Sequence, residues 1–387
     1  MGLGLLPGHI ALRERVRAIS APIAERAAAL DAAASYPYEN FEDLRRSGLL
    51  SLLIPTQHGG QGADYLSFAI VVEEIARACA STAICYTMHT ATYDAMTDGT
   101  PEQQSRFFTD IVQSGSLWCR ALSEPGSGSH FLLPQAVARR TEGGFRLTGA
   151  KFFTSGASGA SFALANAVLE SAPGDGVCLF AVPVKGNPDV VIEGEWDAHG
   201  LRASDSRTIR FNDCFVPENS LIGPEGAGSR LLAGRPSLGA LGIAATGVGI
   251  AQAAYDAAEQ HARTRRIAPD PHPISHYQAI RFLVAEMKVS IDAQRLVTHQ
   301  GAWYADHRPA EARIPLAEAK YITNVQSIEV TQKAMQVVGG RGFVRGHPVE
   351  RYVRDARAGA LMALSVEQSL DLIGKLALGV ESVPNTT

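Results

Sequence analysis

Residues 336–357 read Gln336-Val-Val-Gly-Gly-Arg-Gly-Phe-Val-Arg-Gly-His-Pro-Val-Glu-Arg-Tyr-Val-Arg-Asp-Ala-Arg357. A run with helical apolar spacing, 316 to 336, leads into this stretch. The paired glycines Gly339 and Gly340 then break the rhythm and allow another backbone to come close. The same 3-to-4-residue spacing recurs upstream at Ile280, Leu283, Met287 and Ile291, and at Leu241, Ala244, Val248 and Tyr255. In the latter run Gly239, Gly242, Gly247 and Gly249 shave the helix so that neighbours can pack tightly. From about Gly226 onward the chain is therefore predicted to be long helices.

Toward the N-terminus the texture changes. Glu142-Gly-Gly144 separates two short β-rich runs, 136–141 and 145–152, a hairpin signal. Further strand candidates are 162–169, 177–184, 190–196 and 208–211, enough for a small barrel or sandwich. Before Trp118 helical spacing returns, as at Phe68, Val71, Val72 and Ile75, interrupted by a turn at 58–62. The predicted order is an N-terminal helical domain (1–118), a central β-domain (119–225) and a C-terminal helical domain (226–387), an α+β chain.

The chain has 387 residues, 46% of them hydrophobic, enough for a large core divided among two or three units. A net charge of -4 speaks against general affinity for nucleic acid or anionic lipid, both polyanions. No basic region precedes a long apolar stretch near Met1, and the apolar windows at 49–55 and 238–254 are too short or too glycine-rich for a convincing membrane span. Cys79, Cys85, Cys119, Cys178 and Cys214 show no paired spacing. They suit a reducing cytoplasm and give no metal site.

Several separated motifs carry a resemblance. Leu122-Ser-Glu-Pro-Gly-Ser-Gly-Ser129, Lys151-Phe-Phe-Thr-Ser-Gly156, Gly200-Leu-Arg-Ala-Ser-Asp-Ser206 and the 336–357 stretch together are similar to the acyl-CoA dehydrogenase superfamily. That resemblance implies a β-domain held between two helical domains, the second a four-helix bundle. It also implies FAD, and homodimers or homotetramers in which the cofactor spans two chains. In the implied site Leu122, Ser123, Gly128 and Ser129 line the flavin. Phe153 packs beside it, and the Ser155 hydroxyl reaches its reactive edge. Arg265, Gln336, Gly339 and Gly340 meet the pyrophosphate and adenine across a subunit boundary, and Ser365 and Glu367 also contact the cofactor.

The resemblance breaks at the base. Family members oxidise acyl thioesters by removing an α-proton with a carboxylate while the β-hydride goes to flavin, and this chain has Ala363 where that glutamate stands. The alternative position, on the first long C-terminal helix, is Gly239. Ser237 and Ala240 replace an Asp and an Arg associated with the thioester carrier. Three readings stay open. The first is α,β-dehydrogenation of an acyl thioester, bound to CoA or a carrier, with a non-standard base. Glu124 and Asp94 are candidates by residue type, and an electron-transfer flavoprotein is an implied partner. The second is a reduced-flavin monooxygenase fed by a flavin reductase, in which His89 and Ser155 hydrogen-bond the peroxide and His130 is a further departure near the flavin. The third is a noncatalytic flavin-binding protein.

Overall fold

The computed structural model describes residues 5–126, 131–173 and 176–380. The N-terminal helices are α1 (Pro7–Ala33), α2 (Tyr38–Arg46), α3 (Tyr65–Ala78), α4 (Ala80–Thr90), α5 (Tyr93–Met96) and α6 (Pro101–Ser114). Asp64 caps α3 by accepting the Ser67 N–H at 2.7 Å, and Thr100 with Gln103 forms a reciprocal capping box on α6. Most of α3 is buried from Leu66 through Ala76, which makes it the axis of this unit's core.

Helix gives way to strand between Ser114 and Trp118. The strands are β1 (Trp118–Ala121), β2 (Val137–Thr141), β3 (Gly144–Thr154), β4 (Phe162–Leu169), β5 (Val177–Pro183), β6 (Val190–Glu193), β7 (Arg207–Pro217) and β8 (Leu221–Ile222). They form one sheet in the order β6-β7-β3-β2-β4-β5-β8, with β1 added parallel to β4. The sheet curls over its own core, bringing Phe145 of β3 edge-on to Phe180 of β5 at 5.1 Å. The expected strand 208–211 is longer than its sequence suggested. Asn212-Asp213 has low strand propensity, yet Ile209, Phe211, Cys214 and Val216 all point into the core, and Asp213 absorbs the irregularity at φ 49°.

The C-terminal unit comprises α7 (Gly228–Ala233), α8 (Leu238–Thr264), α9 (Gln278–His307), α10 (Arg313–Val338), α11 (Pro348–Leu361) and α12 (Val366–Ala377). The run Gly228–Thr264 is long and apolar enough to cross a bilayer by composition, but 83% of its most apolar window is buried in the fold. Its apolarity serves packing. An ideal Cβ at Gly242 would lie 2.3 Å from the Thr87 methyl, and one at Gly249 would lie 2.4 Å from the Glu73 carbonyl, so these glycines set how closely α8 meets α4 and α3.

Candidate functional site

The three units meet where β1 leaves the N-terminal helices. The backbone of Phe152 donates to the Ser123 carbonyl at 2.8 Å, tying the Ser-Glu-Pro-Gly loop to the end of β3. Beneath that bridge Lys151 donates to Glu124 at 2.5 Å and to Asn166 at 2.7 Å, while Glu124 also accepts from the backbones of Gln135 and Ala136. Both charged side chains are almost completely buried. Burial pulls the Lys151 pKa down to about 8 against the attraction of Glu124. Glu124 is thus occupied in holding the loop, which removes it as a candidate base.

Above the bridge, Phe153 adopts φ 53° and is 66% exposed, with Trp196 edge-on at 6.2 Å. An aromatic residue in the left-handed region is strained by roughly 1–2 kcal/mol, and here the result is a ring displayed outside the sheet core. Ser155 is buried. Its hydroxyl exchanges a hydrogen bond with Ser206 at 2.8 Å, and Ser206 with Ser204 at 2.8 Å. Leu122 is buried beside the loop. The Ser123–Phe152 bridge therefore sets Leu122 and Ser123 alongside the end of β3, next to the displayed Phe153, which stands two residues before the buried Ser155. Gly128, Ser129 and His130 lie outside the described residues.

The Arg-Asp-Ala-Arg motif is a clamp between segments far apart in the chain. Asp355 accepts the Leu201 N–H at 2.7 Å, and Arg354 reaches Asp31 at 2.6 Å and Glu350 at 2.8 Å. Gly200 presses against the Arg354 carbonyl, where a Cβ would come within 2.3 Å. Burial raises the Asp355 pKa to about 6. The motif thereby joins α11, α1 and the segment entering β7.

His89 is buried with both ring nitrogens in use: Nε2 donates to the Leu50 carbonyl at 3.0 Å and Nδ1 accepts the Trp118 N–H at 3.1 Å. Desolvation lowers its pKa to about 4, in keeping with a neutral ring. The expectation that His89 handles a peroxide gives way to a structural role, since no nitrogen is free. Ala363 lies between α11 and α12. Beneath it the buried Lys320 ammonium gathers the carbonyls of Gly359, Met362 and Leu364. Ser365 caps α12 and donates to Glu367 at 2.9 Å, leaving Glu367 exposed.

Arg265 stands exposed at the C-terminal end of α8. Gln336 is exposed in the last turn of α10, and Gly339 and Gly340 follow it with open space where side chains would be. Gly339 has φ 71° and ψ -153°, a conformation available to glycine alone.

Asp94 is the carboxylate that sequence reasoning could offer only by type. It accepts from the Tyr65 hydroxyl at 3.1 Å and from the Leu238 N–H at 3.3 Å, one residue from Gly239. Burial pushes its pKa up to about 7, despite those hydrogen bonds and the nearby Arg120 and Arg235. Arg120 itself was missed. No motif marks it, although alternation along β1 between Cys119 and Ala121 was a usable signal. Among the described residues no cluster of His, Cys, Asp and Glu forms a metal site.

Sequence profiles for the N-terminal, middle and C-terminal domains of acyl-CoA dehydrogenases match residues 7–114, 119–214 and 226–376. The chain is 32% identical over 334 residues to short-chain specific acyl-CoA dehydrogenase of Homo sapiens mitochondria, covering 86% of this chain and 80% of the relative. It is 32% identical over 353 residues to cyclohex-1-ene-1-carbonyl-CoA dehydrogenase of Syntrophus aciditrophicus, covering 89% and 84%. Its fold superposes on butyryl-CoA dehydrogenase from Megasphaera elsdenii with a TM-score of 0.91 and 25% identity, over 98% of this chain and 100% of that one.

Proposed function

Because this chain belongs to the acyl-CoA dehydrogenase family, we propose that it is an FAD-dependent oxidoreductase that desaturates an acyl thioester between its α- and β-carbons, with Asp94 as a non-standard base. The observation that carries the cofactor is the Ser123–Phe152 bridge, locked by Lys151 and Glu124, with the Phe153 ring displayed beside it. Leu122, Ser123, Phe153 and Ser155 would hold the flavin. Arg265, Gln336, Gly339, Gly340, Ser365 and Glu367 would hold the remainder, with room around the two glycines. When bound, FAD supplies the two-electron acceptor for the hydrogen leaving the β-carbon.

The residues of the chain do the rest. Asp94 stands at the start of α8, next to the position from which some relatives supply their base, and a pKa near 7 suits proton abstraction at neutral pH. Burial keeps water from competing for the proton. Electrons then pass to a partner such as an electron-transfer flavoprotein. The exposed stripe Phe282, Val289, Leu296 and Trp303 along α9 supports a homo-oligomer, and five buried free thiols suit a cytoplasmic setting.

Anaerobic mixing of the yellow protein with a panel of acyl-CoAs tests this: bleaching of the flavin is expected. Asp94→Asn should slow bleaching by about 100-fold or more at unchanged flavin content. Ala363→Glu should accelerate it by restoring a carboxylate at the usual position. One observation favours a second reading, flavin monooxygenation: neither position 363 nor position 239 carries an acid. No bleaching, together with substrate-dependent oxygen consumption in the presence of NADH and a flavin reductase, would replace the first reading by the second.

A further inference from the structure

Alternation along β1 sends Cys119 and Ala121 into the core of the sheet, while Trp118 packs among the helices. Arg120, of the same parity as Trp118, reaches the first turn of α8. Its Nη1 lies 2.8 Å from the point where a Cβ of Gly239 would stand, so glycine there leaves room for the guanidinium. Among the described residues Arg120 makes no hydrogen bond, no ion pair within 4.0 Å and no aromatic contact, and its buried Nε lacks a partner. Arg26, Arg295 and Arg354, also partly buried, are each paired with a carboxylate.

Burial lowers the Arg120 pKa, and Asp94 is the one charge drawing it back. Asp94 is itself committed to Tyr65 and Leu238. An enclosed guanidinium without a contacting anion is destabilising, a penalty removed when a ligand brings the anion. Arg120 as a residue nonetheless keeps part of its surface open. Its planar fork suits a carboxylate held by two hydrogen bonds.

We propose that Arg120 binds a carboxylate carried by the acyl group itself, so that the substrate is the thioester of a dicarboxylic acid rather than of a simple fatty acid. This rests on the acyl-thioester reading above. Arg120 meets α8 beside Asp94, at the reacting end of the site, which favours the acyl carboxylate over a phosphate of the carrier. Gly239 acts as a specificity-determining position, because any side chain there would displace the cation.

Glutaryl-CoA and pentanoyl-CoA share the carrier and the carbon count and differ in the carboxylate. Titrated anaerobically into the holoenzyme and followed through the flavin spectrum, glutaryl-CoA should bind at least about tenfold more tightly, the worth of one charged hydrogen-bonded contact. Arg120→Gln should bring the ratio close to one, Arg120→Lys should retain part of it, and flavin content and melting temperature should hold. If Arg120→Gln does not fold, Gly239→Ala decides, since its methyl displaces the guanidinium while favouring the helix; it too should reduce the ratio. A wild-type ratio of one or less, or a ratio unchanged in these variants, overturns the proposal. If neither thioester perturbs the flavin, the thioester reading falls by itself and free glutarate is titrated instead. A spectral shift lost in Arg120→Gln then upholds the anion site, and the lack of any shift ends it.

Discussion

Lys151 and Glu124 show how a motif residue can serve the site without entering the chemistry. The pair is sealed from water, so its worth lies in the damage done by splitting it. Lys151→Met should leave an uncompensated carboxylate and cost about 3–5 kcal/mol in urea denaturation, whereas adding Glu124→Gln should restore most of the loss. His89 carries a pH signature. Its ring is neutral in the folded protein, with a pKa near 4, and near 6.5 when unfolded, so the unfolded chain binds more protons between those values. The stability that His89 contributes is complete above pH 6.5 and is lost as pH falls toward 4, by up to about 3 kcal/mol. Urea midpoints between pH 7 and pH 4.5 should fall less steeply in His89→Gln than in the wild type. The sequence marked His89 and Glu124 as chemically capable; their partners, Leu50, Trp118, Gln135 and Ala136, come from the fold, so their occupation could not be read from type or spacing.

At the scale of elements, α8 carries most of the packing information. Its glycine spacing announced close helix contacts, and the structure supplies the neighbours: Thr87 at Gly242, and Glu73 with Ala76 at Gly249. Gly249→Ala adds a methyl 2.4 Å from a backbone carbonyl that has no freedom to move away. It should lower stability by about 1–3 kcal/mol, outweighing the ~1 kcal/mol gain in helix preference. Gly374→Ala in α12, with nothing within 4 Å, should instead raise the melting temperature. Comparing the two by thermal denaturation separates packing from propensity. Strands were readable where a short apolar run stood apart, as in β4, and under-read where Asn212-Asp213 masked the continuation of β7.

For the whole molecule, Phe282, Val289, Leu296 and Trp303 recur every seven residues along α9 and remain exposed in the single chain. A stripe of that kind is a seam for another apolar surface. If α9 joins two copies, Leu296→Glu should lower the mass seen in light scattering, and should also reduce retained FAD if Arg265 and Gln336 complete the site of a second copy. By itself the sequence determined the order helix, sheet, helix and the family's short motifs, because periodicity and short motifs are local properties of the chain. Only the tertiary structure decided that Glu124 and His89 are held by hydrogen bonds to distant residues, that Asp94 stands beside the start of α8, and that Arg120 faces Gly239 with no partner among the described residues. Burial and charge pairing depend on residues far apart in sequence, and those distances exist only once the chain has folded.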